Sequence, residues 1–144
     1  LISLKISPIN KDTIMTNAPL KTVSSDKCSP AGGHYSPGVV HNGVMYVSGQ
    51  LPFRPELDRD AKMSPADQAR ACLQNVIDIA EAAGADRERV IKTTVFISNM
   101  DAWGSINEVY QEFFPNHKPA RCVVPCGPLH FGFEVEIEAI VAVS

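Results

Sequence analysis

The chain's 144 residues are 44% apolar and 20% charged, which suits one domain built around one hydrophobic core. Sixteen acidic residues outweigh thirteen basic ones, giving a net charge of −3 with no run of Lys or Arg; this argues against nucleic acid as the main partner, because phosphate binding needs a basic footprint. No stretch approaches the ~20 apolar residues of a membrane helix, and the first residues as given lack the apolar segment and small-residue cleavage site of a signal peptide.

Residues 1–14 carry no signal of a folded element. From Met15 to Gly38 the chain is rich in Pro, Gly, Ser and Thr and reads as an extended or irregular arm. Met15 is expected to be the natural start, with the residues before it upstream sequence. The arm is assigned to residues 1–28 and a single domain to 29–144. "VVHNGVMYVSG" predicts a hairpin, since Asn42-Gly43 favours the left-handed turn between two short strands. The second strand is expected over Val44–Ser48, ended by Gly49, and residues 50–63 read as a loop. "SPADQARACLQNVIDIAEAAG" predicts a helix: Ser64 as N-cap, Pro65 at the first position, Asp67 completing a capping-box-like pattern and Gly84 as the stop. Its apolar face is Ala69, Leu73, Val76, Ile77 and Ala80.

"RVIKTTVFIS" is β-branched and reads as a strand. "DAWGSINEVYQEFF" predicts a second helix with Trp103, Ile106, Tyr110 and Phe113 on one side, stopped by Pro115. Strands are expected again near Ala120–Val124 and Phe133–Val143. The order is that of an α+β fold, with two helices packed on one face of a mixed sheet. The other face is then either solvated or covered by another copy of the chain.

Cys28, Cys72, Cys122 and Cys126 show no disulfide-framework or zinc spacing, so reduced thiols in a cytosolic or organelle-matrix protein are expected. His34, His41, His117 and His130 form no HxH or HxxxH pair, and no metal site is expected.

The strongest chemical signal is "EVEIEAIVAV". Read as a strand, it places Glu134, Glu136 and Glu138 on one face, neighbours about 7 Å apart, and Val135, Ile137 and Ala139 on the other. Arg121, in "KPARCVVPCG", offers a planar fork matched to a carboxylate. It has two possible partners: a glutamate of that row in a salt bridge, or the carboxylate of a small acidic substrate.

Taken in order, "SGQLP", "AAGA", "VIKTTVFI", "INEVYQEFF", "KPAR" and "VEIEAI" resemble the Rid family of reactive intermediate deaminases, also called the YjgF or L-PSP endoribonuclease family. The resemblance spans roughly Pro30 to Val143. It implies a chorismate-mutase-like fold in a homotrimer whose sheets form a central barrel, helices outside, with a pocket at each subunit interface. It also implies hydrolysis of enamines and imines such as 2-aminoacrylate and 2-iminobutanoate to a 2-oxo acid and ammonia. No cofactor is implied, because a protonated imine is already electrophilic.

Residue by residue, the family's catalytic arginine falls on Arg121, its pocket glutamate on Glu136 and its pocket tyrosine on Tyr35. Ser48, Gly49, Asn107 and Cys122 fall at substrate-binding positions. Arg121 would hold the substrate carboxylate, and Glu136 would activate water and return a proton to nitrogen. The chain departs from the family after the arginine: in "CVVPCGPLHFGF" Val123 stands where the family has cysteine, and Cys122 stands one place earlier. The pocket rim, and with it substrate choice, is therefore altered. Two other functions stay open on the sequence: endoribonuclease activity on single-stranded RNA, and non-catalytic binding of small 2-oxo acids. The expected compartment is the cytoplasm, with the mitochondrion as the alternative.

Overall fold

Asn42 and Gly43 take φ of 50° and 75°, the left-handed pair that a two-residue hairpin turn requires. They join β2 (Gly38–His41) to β3 (Val44–Gln50), with His41 opposite Val44. The structure, a computed structural model, describes residues 18–58 and 60–144. The expected start at Met15 and the segment 1–14 lie outside the described residues.

The hairpin belongs to a six-stranded mixed sheet. With β1 (Lys21–Val23), β4 (Val90–Ile97), β5 (Ala120–Pro125) and β6 (Val135–Ala142), the strand order is β1-β2-β3-β6-β4-β5. Only β4 and β5 run parallel, and the helix α2 (Trp103–Phe113) supplies the crossover that a parallel pair needs. Two differences from the sequence expectation stand out. The segment read as an extended or irregular arm contributes β1, pairing Lys21 with Val40 and Val23 with Gly38; three residues are too short for a periodic signal. And β3 runs through Gly49 instead of ending there.

The helix α1 (Pro65–Ala82) starts as its residues dictate: the Ser64 hydroxyl oxygen accepts from the Asp67 N–H at 3.1 Å, with Pro65 first in the helix. It ends at Gly84, φ 79°, where the Ala85 N–H reaches the Ala80 carbonyl at 3.0 Å. All five predicted apolar positions are buried. The second helix begins two residues later than expected. Asn99 caps a short 3-10 turn over Met100–Ala102 first, its Oδ1 accepting from the Asp101 N–H at 3.0 Å.

Both helices lie on the same face of the sheet. Val135, Ile137, Ala139 and Val141 of β6 are buried beneath them with Leu73, Val76 and Ile77 of α1 and Ile106 and Val109 of α2. Each such Val, Leu or Ile side chain contributes roughly 1.5–3 kcal/mol on burial. Among the described residues, no element covers the opposite face, where Tyr46 is 54% exposed and Glu138 is exposed. Among the described residues, no helix is long and apolar enough to cross a membrane.

The loop after β3 is tied down by a polar cluster on α1. Arg54 Nη1 donates to Asp78 Oδ2 at 2.9 Å and to Asn75 Oδ1 at 2.8 Å, while Nε pairs with Glu56. Asn75 Nδ2 donates to the Leu51 and Phe53 carbonyls at 3.1 and 3.0 Å. Burial opposes the charge on Arg54, yet its bonds to Glu56 and Asp78 hold its pKa above the ordinary arginine value. The Asp78 side chain is 3% exposed and that of Arg54 12%, so removing this carboxylate leaves a nearly buried cation with only the exposed Glu56 as ionic partner. Asp78→Ala is expected to cost about 3 kcal/mol, read as a lower urea midpoint with an unchanged slope.

Candidate active site

β5 is an edge strand in parallel register with β4, and Arg121 sits beside Thr93. Thr93 is fully buried under α2, where its hydroxyl accepts from the Tyr110 hydroxyl at 2.9 Å. Arg121 therefore leaves the sheet on the helix side. Its guanidinium carbon lies 4.6 Å from the Trp103 ring centre and 4.7 Å from that of Tyr110, and Nη1 donates to Asn107 Oδ1 at 3.1 Å. Trp103, Asn107 and Tyr110 are four and three residues apart, one face of α2. The group opens on a groove of about 430 Å³ shared with Gln111, Phe114 and Lys118.

Among the described residues, the partners of Arg121 are two rings and one amide, none a carboxylate. This overturns the salt bridge to a glutamate of β6. The reason is sidedness. Arg121 lines up with Thr93 and Ala139, whereas Glu136 lines up with Phe96, three residues further along β4. An offset of three along a strand means opposite faces. Two strands and three residues also separate the Cα atoms by roughly 14 Å.

Glu136 belongs to a second cluster. Between the pairs Val47–Ala139 and Gln50–Ile137 the ladder shifts, so that Ser48 and Gly49 together face Glu138 alone. At this bulge the Glu136 carboxylate folds over Gly49: a Cβ there would stand 2.3 Å from Oε1. Glycine thus lets the carboxylate approach closely and does not act as a strand stop. The Ser48 hydroxyl donates to the Ser36 carbonyl at 2.7 Å, and the Ser48 N–H to the Pro37 carbonyl at 2.9 Å. Those bonds hold the glycine-rich loop that carries Tyr35, whose ring rests on Gly33 and is half exposed. Tyr35 and Gly49 line a hollow of about 390 Å³ with Phe53, His130 and Phe131.

The expected site residues therefore fall into two groups. Arg121 and Asn107 stand together on the helix side; Tyr35, Ser48, Gly49 and Glu136 stand together at the β3–β6 bulge. Cys122, exposed and level with Thr94 and Glu138, faces the open side of the sheet. Trp103 and Tyr110 were expected only to share one side of the second helix, and their hold on Arg121 was missed; their spacing around Asn107 was the available signal. All four cysteines are free thiols. Among the described residues, no group of three or more metal-ligating side chains comes together.

The profile of the family described as Endoribonuclease L-PSP matches residues 26–143. The chain belongs to this family. Among L-PSP relatives, a rat protein named 2-iminobutanoate/2-iminopropanoate deaminase is 36% identical over 120 residues, 83% of this chain and 88% of that protein. The crystal structure of TdcF from E. coli with bound serine is 36% identical, with a TM-score of 0.80, over 86% of this chain and 99% of that one. The YjgF gene product of E. coli is 35% identical, with a TM-score of 0.79, over 85% and 98%. The L-PSP fold, a mixed sheet carrying two helices on one face, is the one described above.

Tyr110 gives the arginine cluster a readable pH signature. Burial pushes its phenol pKa well up, against smaller opposing effects of the Thr93 bond and nearby Arg121. The folded-state pKa thus lies above the unfolded value, so the neutral phenol's contribution to stability is complete below about pH 10 and is lost as pH rises through the folded value. Alkaline unfolding monitored by tyrosinate absorbance should show Tyr110 ionising together with loss of the fold. Tyr110→Phe should remove that step and flatten the fall in stability above about pH 10.

Proposed function

We propose that the protein is a hydrolytic deaminase that converts small enamines and imines bearing a carboxylate into 2-oxo acids and ammonia. The carrying observation is the Arg121 guanidinium, held by two rings and Asn107 with no carboxylate partner among the described residues. A cation so placed is available to an organic anion, and the planar fork binds a carboxylate through two bonds. The rat relative's name and the serine bound to TdcF agree with a small carboxylate ligand.

The reaction needs an acid–base group at the carbon next to that carboxylate. The enamine first takes a proton on carbon to become the protonated imine. Glu136 then accepts a proton from water as the C–O bond forms, and the C=N electron pair moves onto nitrogen. The same carboxyl returns the proton to nitrogen. Collapse of the carbinolamine, its hydroxyl proton passing back to the Glu136 carboxylate, forms C=O and expels ammonia. Tyr35, which lines the same hollow as Gly49, orients water or the departing nitrogen, and Ser48 holds the loop that positions Tyr35. Such acid–base help is typically worth ~10²–10⁴ in rate.

Arg121 and Glu136 leave opposite faces of one sheet, so the pocket is assembled between copies. The homotrimer supplies this arrangement: the open sheet face with Tyr46 and Glu138 packs around a central barrel, and the arginine of one protomer meets the glutamate of the next. Cys122, on that open face, lies at the junction. The four free thiols fit a reducing compartment such as the cytosol.

The test generates 2-iminobutanoate with a threonine dehydratase and follows 2-oxobutanoate release. Arg121→Ala and Glu136→Gln are each expected to lose ~10²-fold or more in kcat/KM. Mixing the two inactive variants in equal amounts during trimer assembly should restore about a quarter of wild-type activity, since each intersubunit pocket draws one residue from either copy at random. No recovery would mean that both residues act from one protomer or not at all. Wild-type protein that binds 2-oxobutanoate without accelerating the hydrolysis would make the site a sensor instead. Gly49→Ala offers a finer check: the added methyl meets only the far end of a flexible carboxylate, so stability should change by less than about 1 kcal/mol. Turnover should nonetheless fall by roughly tenfold or more as Glu136 swings away.

A further inference from the structure

The hollow lined by Gly49, over which the Glu136 carboxylate folds, has one wall that the acid–base chemistry does not use. Phe131 sits there with φ 63° and ψ 17°, followed by Gly132 at φ 74°. The left-handed region costs an L-residue about 1–2 kcal/mol and is free for glycine. Phe131 is also 77% exposed, the most exposed of the large apolar residues among those described. A residue that is both strained and exposed contributes little to folding, and strain of this kind gathers at ligand sites.

The ring is nevertheless held in one orientation. It meets the Phe53 ring edge-on, with centroids 5.0 Å apart, and Phe53 meets Phe133 edge-on at 4.9 Å. Phe53 is in turn fixed from behind by the bond from Asn75 to its carbonyl and by Arg54 on Asp78. Phe131 and Phe53 thus form a braced apolar wall of the hollow, with Tyr35 and Gly49 also lining it. Gly49 is where the Glu136 carboxylate lies.

We propose that Phe131 is a specificity-determining residue, and that the wall it forms with Phe53 selects imines and enamines with a bulky apolar side chain, branched aliphatic or benzyl. This rests on the deaminase reading above and names its substrate class. With the reacting carbon at Glu136 and the substrate carboxylate on Arg121, the third substituent on that carbon is the side chain. The wall gives it an apolar surface to displace water from. Each added methylene buried there raises kcat/KM about fourfold.

The test compares 2-iminopropanoate, 2-imino-4-methylpentanoate and 2-imino-3-phenylpropanoate, each formed in place by an amino-acid oxidase. The wild type should prefer the two larger imines. Phe131→Ala should cut the ratio of kcat/KM for 2-imino-4-methylpentanoate over 2-iminopropanoate by about tenfold, and Phe131→Leu should retain most of it. Phe131→Gly should lose the preference while keeping or raising the melting temperature, because it relieves the backbone; a packing role would lower it. Three results would overturn the proposal: no side-chain preference in the wild type, an equal fall for all imines in Phe131→Ala, or dissociation of the Phe131→Ala oligomer. Calorimetry with pyruvate, 4-methyl-2-oxopentanoate and phenylpyruvate separates this from the deaminase reading. If no imine is turned over but affinity rises along that series and flattens in Phe131→Ala, the wall stands and the enzyme reading falls.

Discussion

The alternation along β6 constrains everything else in the molecule. Val135, Ile137, Ala139 and Val141 are buried beneath the helices, so Glu136 and Glu138 must face away. A slip of one residue would carry two carboxylates into the core and the valines out of it. β6 also lies between β3 and β4, and its register therefore propagates both ways. Through β3 it brings Gly49 under the Glu136 carboxylate. Through β4 and then β5 it commits Arg121 to the opposite side of the sheet.

That division keeps two opposite charges apart. Had Arg121 and Glu136 shared a face, a salt bridge between them would have occupied both groups. Instead Arg121 rests between Trp103 and Tyr110, whose rings attract a cation without neutralising it. Asn107 fixes the rotation of the guanidinium through a single acceptor. Glu136 is placed by the missing side chain of Gly49, with no cation paired to it among the described residues. On the proposed mechanism both groups stay free to meet a substrate brought between two copies.

Much of the fold was legible because its signals are local. Asn42-Gly43 encodes a turn in two residues, Ser64-Pro65-Ala66-Asp67 encodes a helix start in four, and the buried stripe of α1 repeats at helical spacing. β1 was not legible, since three residues carry no period and its pairing with β2 depends on a distant strand. Gly49 was legible as unusual but not as to why: a glycine that ends a strand and one that admits a neighbouring carboxylate look alike in the chain. The resemblance to a family picked out Arg121 and Glu136 by position, yet it did not show that they face apart, because sidedness on β5 follows from its parallel register with β4. Phe131 lies in the segment that departs from the family, but the chain carried no signal of its left-handed backbone or of its edge-on contact with Phe53.

The sequence by itself determined the elements, the buried faces of α1 and β6, and the residue types that bear chemistry. These depend on periods of two and 3.6 along a continuous chain. Only the tertiary structure decided which of those residues meet. Strand order, register and a single bulge at Ser48-Gly49 separated Arg121 from Glu136 and set Phe131 beside Gly49. Such pairings join positions far apart in the chain, and contact between them is settled by packing of the whole sheet rather than by any local preference.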